Sequence, residues 1–128
     1  MTNDAPKPTD AELQILNLLW EMGPATVRQV HETLSKIKPS QYTTTLKLMQ
    51  VMAEKGLLIR DETERSHVYK PRLKQEQMQR QYAKYALDNV FGGSAASLLL
   101  GALDAKPASK KELAELRKLI EDYSKGGK

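Results

Sequence analysis

Leu13, Leu16, Leu19 and Trp20 recur at the three- and four-residue spacing of one helix face, and Ile15 and Leu18 widen the stripe. Thr9-Asp10-Ala11-Glu12 precedes them with the form of a capping box: the threonine oxygen accepts the Glu12 N–H and the glutamate reaches back. Gly23-Pro24 stops this helix, because proline cannot continue the ladder and glycine accepts a left-handed C-terminus. A second box, Thr26-Val27-Arg28-Gln29, opens a short helix with Val27, Val30 and Leu34 on one face, ending by Lys38-Pro39. Ser40 then serves as N-cap for a third helix, from Gln41 to about Lys55, closed by Gly56. At Leu57 the period changes. Leu57-Leu58-Ile59-Arg60 and Ser66-His67-Val68-Tyr69-Lys70 are β-prone runs separated by polar residues, which predicts a hairpin ended by Pro71.

Three helices and a hairpin within this span predict a mainly α fold. Residues 1–71 form a winged helix-turn-helix domain, with the hairpin as the wing. The remaining residues, 72–128, continue as helix. Lys74 to Phe91 carries Met78, Tyr82, Tyr85 and Val90 near helical spacing and breaks at Gly92-Gly93. Ser97 to Leu103 is strongly apolar and short. Ser109-Lys110-Lys111-Glu112 has the form of a third capping box, opening a last helix with Leu113, Leu116, Ile120 and Tyr123 at a/d-like spacing, and Gly126-Gly127 forms a loose end. These helices hold many leucines and tyrosines but too few elements to enclose them, and segments below about 60 residues struggle to bury enough surface alone. The expected cover is a second copy of the chain, meeting Met78, Tyr82, Tyr85, Leu98, Leu99, Leu113, Leu116 and Ile120. The alternative is packing back onto the N-terminal domain.

On the third helix, a turn of 100° per residue puts Tyr42, Leu46, Met49, Met52 and Ala53 on a core face. Thr43, Lys47, Gln50 and Glu54 fall on the opposite face, bordered by Thr44. A helix-turn-helix sets its second helix in the DNA major groove, with the helix's first residues against base edges. Those residues are Gln41, Thr43, Thr44 and Lys47: an amide suited to adenine, threonine methyls suited to thymine, and a cation for guanine or phosphate. Arg28, near the start of the preceding helix, stands where such proteins touch phosphate. The wing offers Arg60 and Arg65, but Asp61, Glu62 and Glu64 at its tip repel phosphates. Backbone contact through the basic flanks is therefore expected, without deep insertion of the wing.

The charge distribution supports the same segment. The net charge is +4 overall, with a pI near 9.3. Residues 26–60 carry Arg28, Lys36, Lys38, Lys47, Lys55 and Arg60 against Glu32 and Glu54, a local +4, while the first 71 residues sum to zero. Composition is that of a globular chain, 40% hydrophobic and 28% charged. Without cysteine, neither disulfides nor thiolate metal sites can form. Met1-Thr2-Asn3-Asp4-Ala5-Pro6 has no basic n-region and no apolar h-region, and Ala95 to Leu103 is too short to span a bilayer. A cytoplasmic protein with no membrane partner is expected.

An enzyme is disfavoured. His31 and His67 are the only histidines, with no nucleophile–base set, no glycine-rich phosphate loop and no second metal ligand nearby. Carboxylates such as Glu121-Asp122 lie on a polar helix face, where solvation accounts for them. No cofactor and no metal are expected. A winged helix that binds protein rather than DNA stays open as an alternative, because the fold also serves as an interaction module.

Five stretches resemble the penicillinase-repressor family (BlaI/MecI/CopY-like) in order and spacing. They are Leu13-Gln14-Ile15-Leu16-Asn17-Leu18-Leu19-Trp20, Ala25-Thr26-Val27-Arg28-Gln29-Val30, Tyr42-Thr43-Thr44-Thr45-Leu46, Glu54-Lys55-Gly56-Leu57-Leu58 and His67-Val68-Tyr69. The resemblance implies a winged-helix repressor that dimerises through C-terminal helices and binds a palindromic operator in double-stranded DNA. It also exposes two departures. β-Lactam-responsive members are cleaved at an Asn-Phe bond, and Gly101-Ala102 occupies that place here. Copper-responsive relatives carry a C-terminal Cys-x-Cys pair, which this chain lacks. Neither induction route carries over.

Overall fold

Both predicted threonine boxes close in the computed structural model, which describes residues 7–126. The opening six residues, read above as lacking leader features, and Gly127 lie outside the described residues. At the start of α1 (Asp10–Met22), Thr9 Oγ1 accepts the Glu12 N–H at 3.2 Å and Glu12 Oε1 accepts the Thr9 N–H at 2.9 Å. At α2 (Val27–Ile37), Thr26 and Gln29 repeat the exchange at 3.2 and 2.9 Å. Each box satisfies two backbone donors that a helix start otherwise leaves open. Gly23 follows α1 with φ of 86°, a conformation open to glycine but strained for other residues.

The third helix begins differently from the expectation. α3 runs Tyr42–Glu54, its N-cap is Gln41 rather than Ser40, and no side chain caps it. The Gln41 carbonyl accepts the Thr44 and Thr45 N–H groups at 3.1 and 3.4 Å, so a backbone turn starts the helix without Ser40.

The wing is also larger than a hairpin. β2 (Leu58–Asp61) pairs antiparallel with β3 (Val68–Pro71), in the register Leu58↔Pro71 through Asp61↔Val68. A two-residue strand β1 (Ala25–Thr26), unforeseen from its length, pairs with the other edge of β3, giving the order β1-β3-β2. Thr26 therefore ends a strand and caps a helix at once. This ties the start of α2 to the wing.

Ile15, Leu16 and Leu19 from α1, Val27 and Val30 from α2, and Met49 and Met52 from α3 are buried together with Leu57, Leu58 and Tyr69. Each such side chain contributes about 1.5–3 kcal/mol by leaving water. Into this core α1 also brings a carboxylate. Glu12 is buried and receives Lys55 Nζ at 2.7 and 2.8 Å, joining the first turn of α1 to the C-cap of α3.

The chain divides into two compact units, Met1–Gln81 and Tyr82–Lys128. α4 (Gln75–Asn89) begins in the first and ends in the second. Its entry is tied to the first unit by three hydrogen bonds. The Arg72 N–H donates to the Leu57 carbonyl at 3.0 Å, Arg72 Nε to the Gly56 carbonyl at 2.9 Å, and the Trp20 indole N–H to the Leu73 carbonyl at 3.0 Å. Met78, assigned above to a dimer face, is only 5% exposed in the single chain, so it is a core residue instead.

In the second unit, α5 (Ala95–Ala105) is capped by Ser94 and starts earlier than Ser97, while α6 (Lys110–Lys125) is capped by Ser109, which accepts the Glu112 N–H. Neither helix buries a single residue. Among the described residues no helix is long and apolar enough to cross a membrane.

Candidate nucleic-acid interface

The outer face of α3 follows the helical wheel. Gln41, Thr43, Thr44, Lys47, Gln50 and Glu54 are all exposed. The buried face is rotated from the one drawn above, because Thr45 joins Met49 and Met52 inside while Tyr42, Leu46 and Ala53 are only half-buried. Thr45 is tolerated there because its hydroxyl meets His31 Nδ1 at 3.1 Å. A buried polar group without such a partner would be destabilising.

Beside this face lies a groove of about 420 Å³ between the start of α2, α3 and the wing. Arg28, Arg60 and Arg65 line it, with Tyr42, Gln50, Ser66 and His67, and no carboxylate does. The fold thus brings all three predicted arginines to one cleft, with Gln50 at its edge on the same helix face as Lys47. Gln41, Thr43, Thr44 and Lys47 stand outside the lining, on the exposed surface of α3. Gln50, Ser66 and His67 were not among the predicted contacts. The wheel already placed Gln50 on the solvent face, whereas the wing residues could be located only once strand register was known.

The three arginines are not equivalent. Arg60 is engaged by the Tyr69 hydroxyl and by Glu62, whose carboxylate lies 2.5 Å from Nη2, and both contacts favour the charged guanidinium. Among the described residues no carboxylate lies within ion-pair distance of Arg28 or Arg65. Instead, the Arg28 guanidinium stands 5.2 Å over the centroid of the Tyr42 ring. At the wing tip, Asp61 Oδ1 accepts the backbone N–H and then the hydroxyl of Thr63, at 3.0 and 2.8 Å, and these bonds hold its carboxyl below the usual range. The tip therefore keeps its negative charge. Phosphates meeting the wing would find cations at its flanks and anions at its end.

Three helices, the third presenting hydroxyls, amides and a lysine beside an arginine-lined cleft and a strand-paired wing, define a winged helix-turn-helix protein. The chain belongs to the penicillinase repressor family, whose family model matches residues 8–122. The penicillinase repressor of Staphylococcus aureus is 25% identical over 125 residues, covering 98% of this chain and 99% of that protein. A transcriptional regulator BlaI of Mycobacterium tuberculosis is 40% identical over 63 residues, or 48% of this chain and 46% of that one. The solved DNA-binding domain of the repressor BlaI, at 24% identity, superimposes with a TM-score of 0.51 over 58% of this chain and 90% of its own, a likeness of fold. Bacillus licheniformis BlaI, solved as a monomeric form in complex with the blaP half-operator, gives the same TM-score at 25% identity over 57% of this chain and 89% of that one.

The second unit presents much apolar surface. Of the residues assigned to a dimer face, Tyr85, Leu113 and Ile120 are exposed, whereas Tyr82, Leu98, Leu99 and Leu116 are half-buried within their own chain. Val90, Leu100, Leu119 and Tyr123 are exposed as well, Tyr123 to 69%.

Proposed function

We propose that this protein is a cytoplasmic transcriptional repressor that binds a two-fold symmetric DNA operator as a homodimer, one α3 helix reading each half-site. The observation that carries the reading is the arginine-lined, carboxylate-free groove beside the exposed Gln41, Thr43, Thr44 and Lys47 surface. Arginines at a groove rim neutralise phosphates and set orientation, while short polar side chains on the inserted helix discriminate bases. The BlaI–half-operator complex supports this assignment by analogy with a relative of the same fold. For the dimer, the support is that α5 and α6 bury no residue, while Leu100, Leu119, Ile120 and Tyr123 face outward. So much exposed apolar surface marks an interaction site.

Nuclease footprinting on the DNA upstream of the protein's own gene tests DNA binding, symmetry and half-site spacing together. The expected result is a protected site with two related halves about one helical turn or its multiple apart. Lys47→Glu should abolish that footprint without changing thermal stability, since Lys47 is exposed. A Lys47→Glu protein with unaltered protection would remove α3 from the reading role.

A further inference from the structure

We propose that Tyr42 and His31 are positioning residues that hold Arg28 poised for a DNA phosphate. The proposal rests on the DNA-binding reading and names the part of the site that is organised in advance. Arg28 is the second residue of α2 and Tyr42 the first residue of α3, so their contact joins the starts of the two helices. The guanidinium lies over the ring at 5.2 Å from its centroid. A contact of this kind engages the cation without an anionic partner, so its charge stays available to a phosphate.

The ring is itself held. His31, one turn along α2 from Arg28, meets Tyr42 edge-on, with centroids 5.6 Å apart and planes at 83°. His31 in turn is fixed at both nitrogens, by Thr45 Oγ1 at 3.1 Å and by Ser35 Oγ at 3.3 Å. Thr45 is 2% exposed on α3, one turn beyond Tyr42. The chain Thr45–His31–Tyr42–Arg28 thus alternates between α3 and α2 and runs from the core to the groove. An arginine seated this way has already lost rotamers that a free side chain would lose only on binding.

The test uses the full-length protein and a duplex that the wild type itself selects from a randomised pool, with affinity measured by fluorescence anisotropy across a salt series. Arg28→Ala should lower the slope of log affinity against log salt by about one per half-site, the signature of one lost phosphate contact. Tyr42→Leu removes no charge, yet it should also lower that slope and weaken binding roughly two- to five-fold per half-site. Tyr42→Phe, which keeps the ring face, should match wild type in both. Core packing alone would not make an uncharged substitution change the salt slope. A folded Tyr42→Leu protein with the wild-type slope overturns the proposal, as does a Tyr42→Phe protein that loses as much as Tyr42→Leu. If Tyr42→Leu does not fold, His31→Gln carries the test, because it keeps hydrogen-bonding groups for Thr45 and Ser35 but removes the ring edge. The same drop in slope is expected, and an unchanged slope overturns the proposal. A wild-type protein that enriches no duplex at all fails at the earlier step and removes the DNA-binding reading itself.

Discussion

Replacing Lys55 by methionine removes one end of the ion pair that bolts α3 to α1. The side-chain stem stays, so apolar packing is nearly conserved and the loss is electrostatic. Glu12 is left with its side chain 3% exposed and without the ammonium that now lies 2.7 and 2.8 Å from its two oxygens. The Thr9 N–H remains as a donor to it. Orphaning a fully buried charge costs about 3–5 kcal/mol. Lys55 is 32% exposed, however, so water can enter where the ammonium was. That lowers the cost toward the roughly 1–3 kcal/mol of an unsatisfied buried polar group. A loss of about 2–3 kcal/mol is expected, equivalent to about 10–20 °C for a unit of this size.

Trp20, the sole tryptophan, lies in the first unit and reports its urea unfolding by fluorescence. The pH dependence adds a second check. Burial raises the Glu12 pKa, but the Lys55 hydrogen bond, the Thr9 N–H and the Lys55 charge together hold it below 4.5. Because the native pKa is the lower one, the pair's stabilisation is present above the ordinary glutamate range and is lost as pH falls through the native value. The gap between wild type and Lys55→Met should therefore narrow on acidification below about pH 4.5. Adding Glu12→Gln should restore part of the loss by removing the orphaned charge. A Lys55→Met midpoint within about 0.5 kcal/mol of wild type at neutral pH would refute the argument. So would a double variant no more stable than Lys55→Met alone.

Ile120→Asp should give monomers by sedimentation and weaken operator binding by orders of magnitude, because two linked half-sites gain avidity. Ile120 is 58% exposed, which makes it a cleaner probe than half-buried Leu116, whose replacement would also disturb its own unit. Glu62→Gln should release Arg60 to a phosphate, raising duplex affinity and steepening the salt slope by up to about one per half-site. An unchanged slope would show that Arg60 stays away from DNA. Gly56→Ala should destabilise the first unit by about 1–2 kcal/mol in the same urea assay. The cause is backbone strain at φ of 85°, not crowding, since the nearest atom to a new Cβ is Arg72 Nε at 3.8 Å. Gly56→Asn should cost less, because asparagine tolerates that conformation better.

Much of the fold could be read directly from the chain because the interactions that start helices are local. Thr9 with Glu12, Thr26 with Gln29 and Ser109 with Glu112 are each three residues apart; the structure closes the first two as full boxes and the third through the serine oxygen. The third helix lacks such a closed side-chain signal: Ser40 has the capping chemistry, yet Gln41 takes the cap position. The exposed face of α3 was legible too, since a regular helix carries its periodicity in the spacing of Thr43, Lys47 and Gln50. The wheel marks Tyr42 only as core, because an angle cannot show that Arg28 from another helix comes to lie over its ring.

The sequence by itself determined the succession of elements and the polar face of α3, which depend on residues within a turn or two of one another, and the family resemblance, which depends only on the order and spacing of short stretches. Only the tertiary structure decided which distant residues meet. Glu12 finds Lys55 across 43 positions and Trp20 finds Leu73 across 53. Ala25–Thr26 becomes a strand only because β3 offers it an edge. Arg28, Arg60 and Arg65 gather around one groove because sheet register and helix packing bring them there. Met78 left the expected dimer face for the same reason: helical periodicity marks a residue as facing something apolar, and packing decides what that is.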